Sequence, residues 1–78
     1  MPRYLFHLYD DEETLDAEGK HFPGLEAAQA EAVQSARSIM GSQLQSTGEI
    51  TLSHWIEVET EAGEIHIVTF GDTVKINP

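Results

Sequence analysis

Residues 25–46 read LEAAQAEAVQSARSIMGSQLQS, and this stretch decides the fold. It is rich in Ala, Gln, Glu and Leu, the residues that lose least on entering a helix. Projected at about 100° per residue, Leu25, Ala28, Ala32, Val33, Ala36, Ile39 and Met40 fall on one stripe, with Glu31, Gln34, Ser38 and Gln45 opposite. Pro23 and Gly24 punctuate its start, Glu26 suits the positive end of the helix dipole, and Gly48 is placed to end it, with Gly41 a weaker stop. The alanines at 28, 32 and 36 let the first half of such a helix lie close to a sheet.

Outward from the helix, the flanks read as strands. Arg3 to Tyr9 (RYLFHLY) is aromatic and unbroken, with Tyr4, Phe6 and Leu8 on one face and Leu5, His7 and Tyr9 on the other. Both faces are largely apolar, which places this strand inside a sheet. Asp10 to Gly19 is expected to be a solvated acidic loop, followed by a short strand at Lys20–Phe22. Ser53–Thr60 and Glu64–Phe70 form a hairpin about Glu61-Ala62-Gly63. A three-residue loop with Gly63 left-handed pairs Thr60 with Glu64 and puts Ile56, Val58, Val68, Phe70, His54 and His66 on one face. A two-residue loop groups Ile56 and Val58 with Ile65 and Ile67 instead; the three-residue loop is preferred. Residues 71–78 read as a polar tail.

The expected architecture is α+β in two layers: an antiparallel sheet of three to four strands, in the order β-(β)-α-β-β, with one long helix on one face. A 22-residue helix spans roughly 33 Å, and seven strand residues span only roughly 23 Å. The Ile39–Leu44 end therefore overhangs and must fray, pack on the tail or meet a second copy. The far sheet face is left uncovered, with Trp55 or Leu5 exposed there. Trp55 is an interface anchor or a core residue according to the register. Both features predict a homodimer.

The chain has 78 residues, enough for one domain, residues 1–78, with no cysteine for a disulfide or thiolate site. Fourteen acids against four bases give a net charge of −10. Arg3, Lys20, Arg37 and Lys75 are scattered among acids, which argues against direct nucleic-acid binding and against a membrane surface. A basic protein partner fits that charge, and an acidic decoy for nucleic-acid-binding proteins is the alternative reading. No leader or membrane segment follows Met1-Pro2-Arg3, so a cytoplasmic protein is expected.

Candidate chemistry is thin. His7, His21, His54 and His66 lack metal-ligand spacing. Asp10, Glu12, Thr14, Asp16 and Glu18 alternate as in a calcium loop, but Leu15 stands where the sharp-turn glycine belongs and His21 where the bidentate Glu belongs. Ser53, His54 and Asp72 supply the residue types of a triad without a nucleophile elbow, and Glu57 and Glu59 are an ordinary same-face pair. The expectation is no catalytic, cofactor-binding or metal residue, and no enzyme; a small ligand binder or enzyme without a recognisable motif is the remaining alternative.

Met1-Pro2-Arg3-Tyr4 with Phe6-His7, Glu18-Gly19, Leu25-Glu26-Ala27-Ala28 with Ala30-Glu31-Ala32, Ile56-Glu57-Val58, Gly63 and Phe70 carry a likeness over nearly the whole chain. With these the sequence resembles an uncharacterised bacterial family of short, mostly single-domain proteins, a domain of unknown function. Gly24 departs from the capping Asp expected before that Leu-Glu. The resemblance implies a stand-alone bacterial domain and transfers no catalytic or ligand residue. The function expected is protein–protein contact, with an auxiliary or regulatory role.

Overall fold

The computed structural model describes residues 1–78. The helix, α1, runs Leu25–Ser46, with Gly24 extended before it and Thr47 closing it by N–H bonds back to its last turn. Gly48, at φ +76°, takes the left-handed position that ends it, as expected; Gly41 lies inside the helix. Ala28, Ala32 and Ala36 are fully buried and Met40 nearly so, so the predicted stripe is the core face. With only methyl groups at three successive turns, the helix backbone seats directly on the sheet.

Five antiparallel strands make that sheet: β1 (Arg3–Tyr9), β2 (Glu13–Thr14), β3 (Lys20–His21), β4 (Trp55–Glu59) and β5 (Ile65–Thr69). β1 is central, pairing with β4 on one side and with the two short strands on the other. The order is β2-β1-β4-β5, with β3 also on β1. This is the expected two-layer α+β fold, with one strand more than expected.

The hairpin adopts the three-residue loop. Ile56 faces Val68, Val58 faces His66, and the Thr60 N–H donates to the Glu64 carbonyl at 2.9 Å. Gly63 has φ +86°, the left-handed conformation this loop demands. Tyr4, Phe6, Leu8, Ile56, Val58, Val68 and Phe70 consequently share the helix-facing side, with Val58 and Phe70 fully buried. Each such side chain contributes about 1.5–3 kcal/mol on burial.

The overhanging end of α1 does not fray, and Ile39 and Met40 in it are packed while Leu44 stays 52% exposed. It packs on the chain after β5, where Phe70–Thr73 forms a 3-10 turn with Phe70 and Thr73 buried. Arg37 Nε donates to the Thr73 carbonyl at 2.7 Å, and Ile39, Ile50 and Val74 join the core margin. The start of the expected polar tail is thus a structural element, because Phe70 needs the space under the helix.

The acidic segment also differs from a freely solvated loop. Glu13 and Thr14 pair with Tyr9 and Leu8, and Asp16 folds back onto β1. Gly19 (φ +72°) lies so close to β1 that a Cβ there would meet the Tyr4 carbonyl oxygen at 2.5 Å. No helix is long and apolar enough to cross a membrane.

Candidate functional site

Alternation along three strands builds the face that α1 leaves open. β1 contributes Leu5, His7 and Tyr9, β4 contributes Trp55, Glu57 and Glu59, and β5 contributes Ile65, Ile67 and Thr69. Leu5 and Trp55, expected as the exposed groups, are half-buried. Tyr9 and Trp55 are directly paired and stack with centroids 5.1 Å apart and planes 7° from parallel, which shields both. Trp55 Nε1 donates to Glu57 Oε2 at 3.2 Å. The Glu13 carboxylate, accepting from the Tyr9 phenol, pushes that phenol up to about 12, with partial desolvation and Glu57 acting in the same direction. The exposed apolar groups are instead Ile65 at 46% and Ile67 at 61%.

These two isoleucines sit on an open strand edge. The Phe70 N–H donates to the His54 carbonyl and Thr60 to Glu64, so His54–Phe70 and Thr60–Glu64 are hydrogen-bonded pairs. By the alternation of an antiparallel ladder, Ile56–Val68 and Val58–His66 are hydrogen-bonded pairs too. The N–H and C=O groups of Ile65, Ile67 and Thr69 therefore point away from β4, where no further strand of the sheet lies. No lysine, proline or charge interrupts β5 to blunt that edge.

His7 is 7% exposed and uses both ring nitrogens. The Asp16 backbone N–H donates to Nδ1 at 3.0 Å, and Nε2 lies 2.9 Å from Glu59 Oε1. A backbone N–H can only donate, so Nδ1 carries the lone pair and the proton resides on Nε2, directed at Glu59. The ring is a neutral strut between the acidic segment and β4. Asp16 itself accepts from the backbone N–H groups of Phe6, Glu18 and Gly19, each at 3.1 Å. Burial alone would raise its carboxyl, but the Phe6, Gly19 and Glu18 N–H groups outweigh it and hold the group below the usual carboxylate range.

The remaining histidines are not brought together. His54 pairs with Phe70 and His66 with Val58, on either side of the Ile56–Val68 rung, while His21 is exposed on β3. His54 packs edge-on against Phe70 with centroids 5.8 Å apart. Its Nε2 is 3.7 Å from Asp11 Oδ1, while Ser53 and Asp72 are both exposed. The alternating oxygens of residues 10–18 do not converge: Asp10 Oδ1 caps the Glu12 N–H, and Asp16 turns inward. No three His, Asp or Glu side chains are arranged to hold a metal ion.

Two small polar hollows flank the sheet. One, of about 250 Å³, lies beside Asp16 and Gly19 and is bordered by the Lys20–Glu31 ion pair at 3.0 Å. The other, of about 240 Å³, lies between the end of α1 and the start of β4, with His54 and Gln43 in its wall. Sequence reasoning did not find it, because its residues are scattered from position 11 to position 54 and nothing in their spacing announces them.

The family model described as a domain of unknown function (DUF6894) matches residues 3–71, and the chain belongs to that family. No curated protein matches the chain. No solved structure matches it either.

Proposed function

We propose that this member of the DUF6894 family is a non-enzymatic interaction domain of the bacterial cytoplasm that works as a homodimer in an auxiliary or regulatory role. One observation carries the reading: β5 presents the unpaired main chain of Ile65, Ile67 and Thr69 beside the exposed Ile65 and Ile67 side chains. A second copy fits this edge. Antiparallel pairing of β5 with its symmetry mate about Ile67 sets Ile65 opposite Thr69 of the partner subunit and continues the sheet across the two-fold axis. Residues 65–71 carry no Asp, Glu, Lys or Arg, so the joined strands bring no like charges face to face despite the −10 charge of each chain. Stacking the open faces instead would oppose Glu57 and Glu59 of two copies, at a high desolvation cost.

The non-enzymatic part of the reading is supported by His7, the most buried histidine, whose nitrogens are both committed to holding Asp16 and Glu59. A short edge with two isoleucines supports a dissociation constant on the order of micromolar. Light scattering on a sizing column at high micromolar concentration should give twice the 8.7 kDa protomer mass. Ile67→Lys, which adds a charge at an exposed position of the edge, should return it to 8.7 kDa, with a urea midpoint unchanged from wild type when both are measured well below the dissociation constant. A wild-type chain that stays at the protomer mass throughout would overturn the reading.

A further inference from the structure

His7 ties the acidic segment to the sheet through a bond that exists in only one protonation state of its ring. The ring is buried on the open face of β1. Nδ1 accepts the Asp16 backbone N–H at 3.0 Å, and Nε2 donates to Glu59 Oε1 at 2.9 Å. A second proton can enter only at Nδ1, where it would point at the Asp16 N–H. Two donors cannot share that contact, so the imidazolium is incompatible with the seated position of Asp16.

The surrounding charges nonetheless favour the proton. From β4 come Glu59, already bonded to the ring, and Glu57, directly opposite His7. The acidic segment brings the Asp16 carboxylate, which attracts the ring once it is charged, and Glu13, across from Tyr9. On β1 itself the neighbours on that face are Leu5 and the Tyr9 phenol. Arg3, paired in register with His21, lies beyond Leu5 at the far end of the strand. β5 places the uncharged Ile67 across from Glu57, and α1 packs on the opposite face. Electrostatics thus invite a proton that the hydrogen bond refuses, and the conflict is relieved when Asp16 moves away.

Asp16 is also the group that holds its surroundings, through the N–H groups of Phe6, Glu18 and Gly19. Residues 10–19 include six carboxylates, whose mutual repulsion drives an unseated segment outward. Unseating also uncovers the Phe6 N–H, on the edge of β1 between the stretches paired with β2 and β3. We propose that His7 is a pH-sensitive latch: proton uptake at Nδ1 releases Asp16, opens residues 10–19 away from β1 and bares that main-chain edge. The three N–H bonds of Asp16 keep the closed form in the majority, so acid enlarges an open minority. This edge lies across the sheet from β5, and the latch is independent of the dimer reading.

The test is amide exchange of the full chain at fixed protein concentration and at about pH 7.5, 6.5 and 5.5, corrected for the intrinsic pH dependence of exchange. Nitrogen NMR of the His7 ring is recorded on the same samples. Because the open form binds one more proton, its population should rise by up to about tenfold per pH unit once the ring charges. Protection at Asp16, Phe6 and Gly19 should fall together, roughly tenfold or more over the range, in step with proton uptake at Nδ1. His66 and Val68 on β5 should hold theirs. His7→Asn puts an amide oxygen near the place of Nδ1, accepts the Asp16 N–H and takes no proton, so the same three amides should not respond to pH. A ring that stays neutral throughout, or one that gains its proton with the three amides unchanged, would overturn the proposal. So would a loss confined to Asp16, a matching loss at His66 and Val68, or a pH-dependent loss that persists in His7→Asn. The wild-type ring and amide titrations decide the matter even where the variant fails to fold.

Discussion

Replacing Asp16 with alanine should cost this domain a large part of its stability. The carboxylate accepts three backbone N–H groups, those of Phe6, Glu18 and Gly19. The Phe6 and Gly19 donors are partly buried, and losing an ionised acceptor there costs about 1 kcal/mol each after discounting for solvent screening of a half-exposed carboxylate. The exposed Glu18 donor returns to water at a cost of roughly 0.5 kcal/mol. The sum is about 2–3 kcal/mol, against a total of roughly 4–12 kcal/mol for a chain of this length. Urea unfolding followed by fluorescence of Trp55, the sole tryptophan, reads the change directly. Because the folded-state carboxyl titrates below its usual range, its contribution is complete above the unfolded-state value near pH 4 and is lost as pH falls through the depressed native value. The gap between wild type and Asp16→Asn should therefore be wide at pH 7 and shrink progressively as the pH is taken below about 4. An Asp16→Ala midpoint equivalent to less than about 0.5 kcal/mol of destabilisation would refute the assignment of Asp16 as the anchor of residues 10–19.

Three further outcomes follow from the same geometry. Gly19→Ala combines a left-handed φ with a 2.5 Å approach to the Tyr4 carbonyl oxygen, and urea melts should show a loss of about 2–4 kcal/mol, whereas Gly41→Ala, inside α1 with open space around it, should gain roughly 0.5–1 kcal/mol. Glu13→Gln should move the Tyr9 phenol from about 12 back toward its ordinary value of 10.0, measured by tyrosinate absorbance or carbon NMR of the ring; an unchanged titration would exclude Glu13 as the dominant cause. Raising salt from about 50 to 500 mM should tighten the dimer, since two chains of −10 repel and residues 65–71 carry no charge; sedimentation showing a weaker dimer at high salt would contradict that edge as the interface.

The elements with long, regular patterns were legible in the sequence. The stripe at Ala28, Ala32, Ala36 and Met40 is read directly because burial on a helix repeats every 3.6 residues and nothing local opposes it. The hairpin register followed from Gly63, since the left-handed residue fixes the loop and the loop fixes every partner beyond it. β1 announced its central place by being apolar on both sides. β2 was not legible, because two residues in an acidic run have no strand pattern of their own; tertiary contacts hold them, through pairing with Leu8 and Tyr9 and the Asp16 anchor. The buried turn at Phe70–Thr73 was hidden in a polar-looking tail, since Thr73 is drawn in by its hydroxyl bond to the Phe70 carbonyl. The exposed Ile65 and Ile67 follow from the preferred register, but which of the far-face side chains lie open depends on the Tyr9–Trp55 stack, and single-strand patterns carry no such cross-strand fact.

Amide hydrogen exchange on β5, measured across a hundredfold range of protein concentration, tests the dimer most directly. His66 and Val68, bonded to β4, should be protected at every concentration, and the outward amides of Ile65, Ile67 and Thr69 should become protected only as the concentration rises. Rapid exchange at those three positions in samples whose mass is already doubled would place the interface elsewhere and contradict the account.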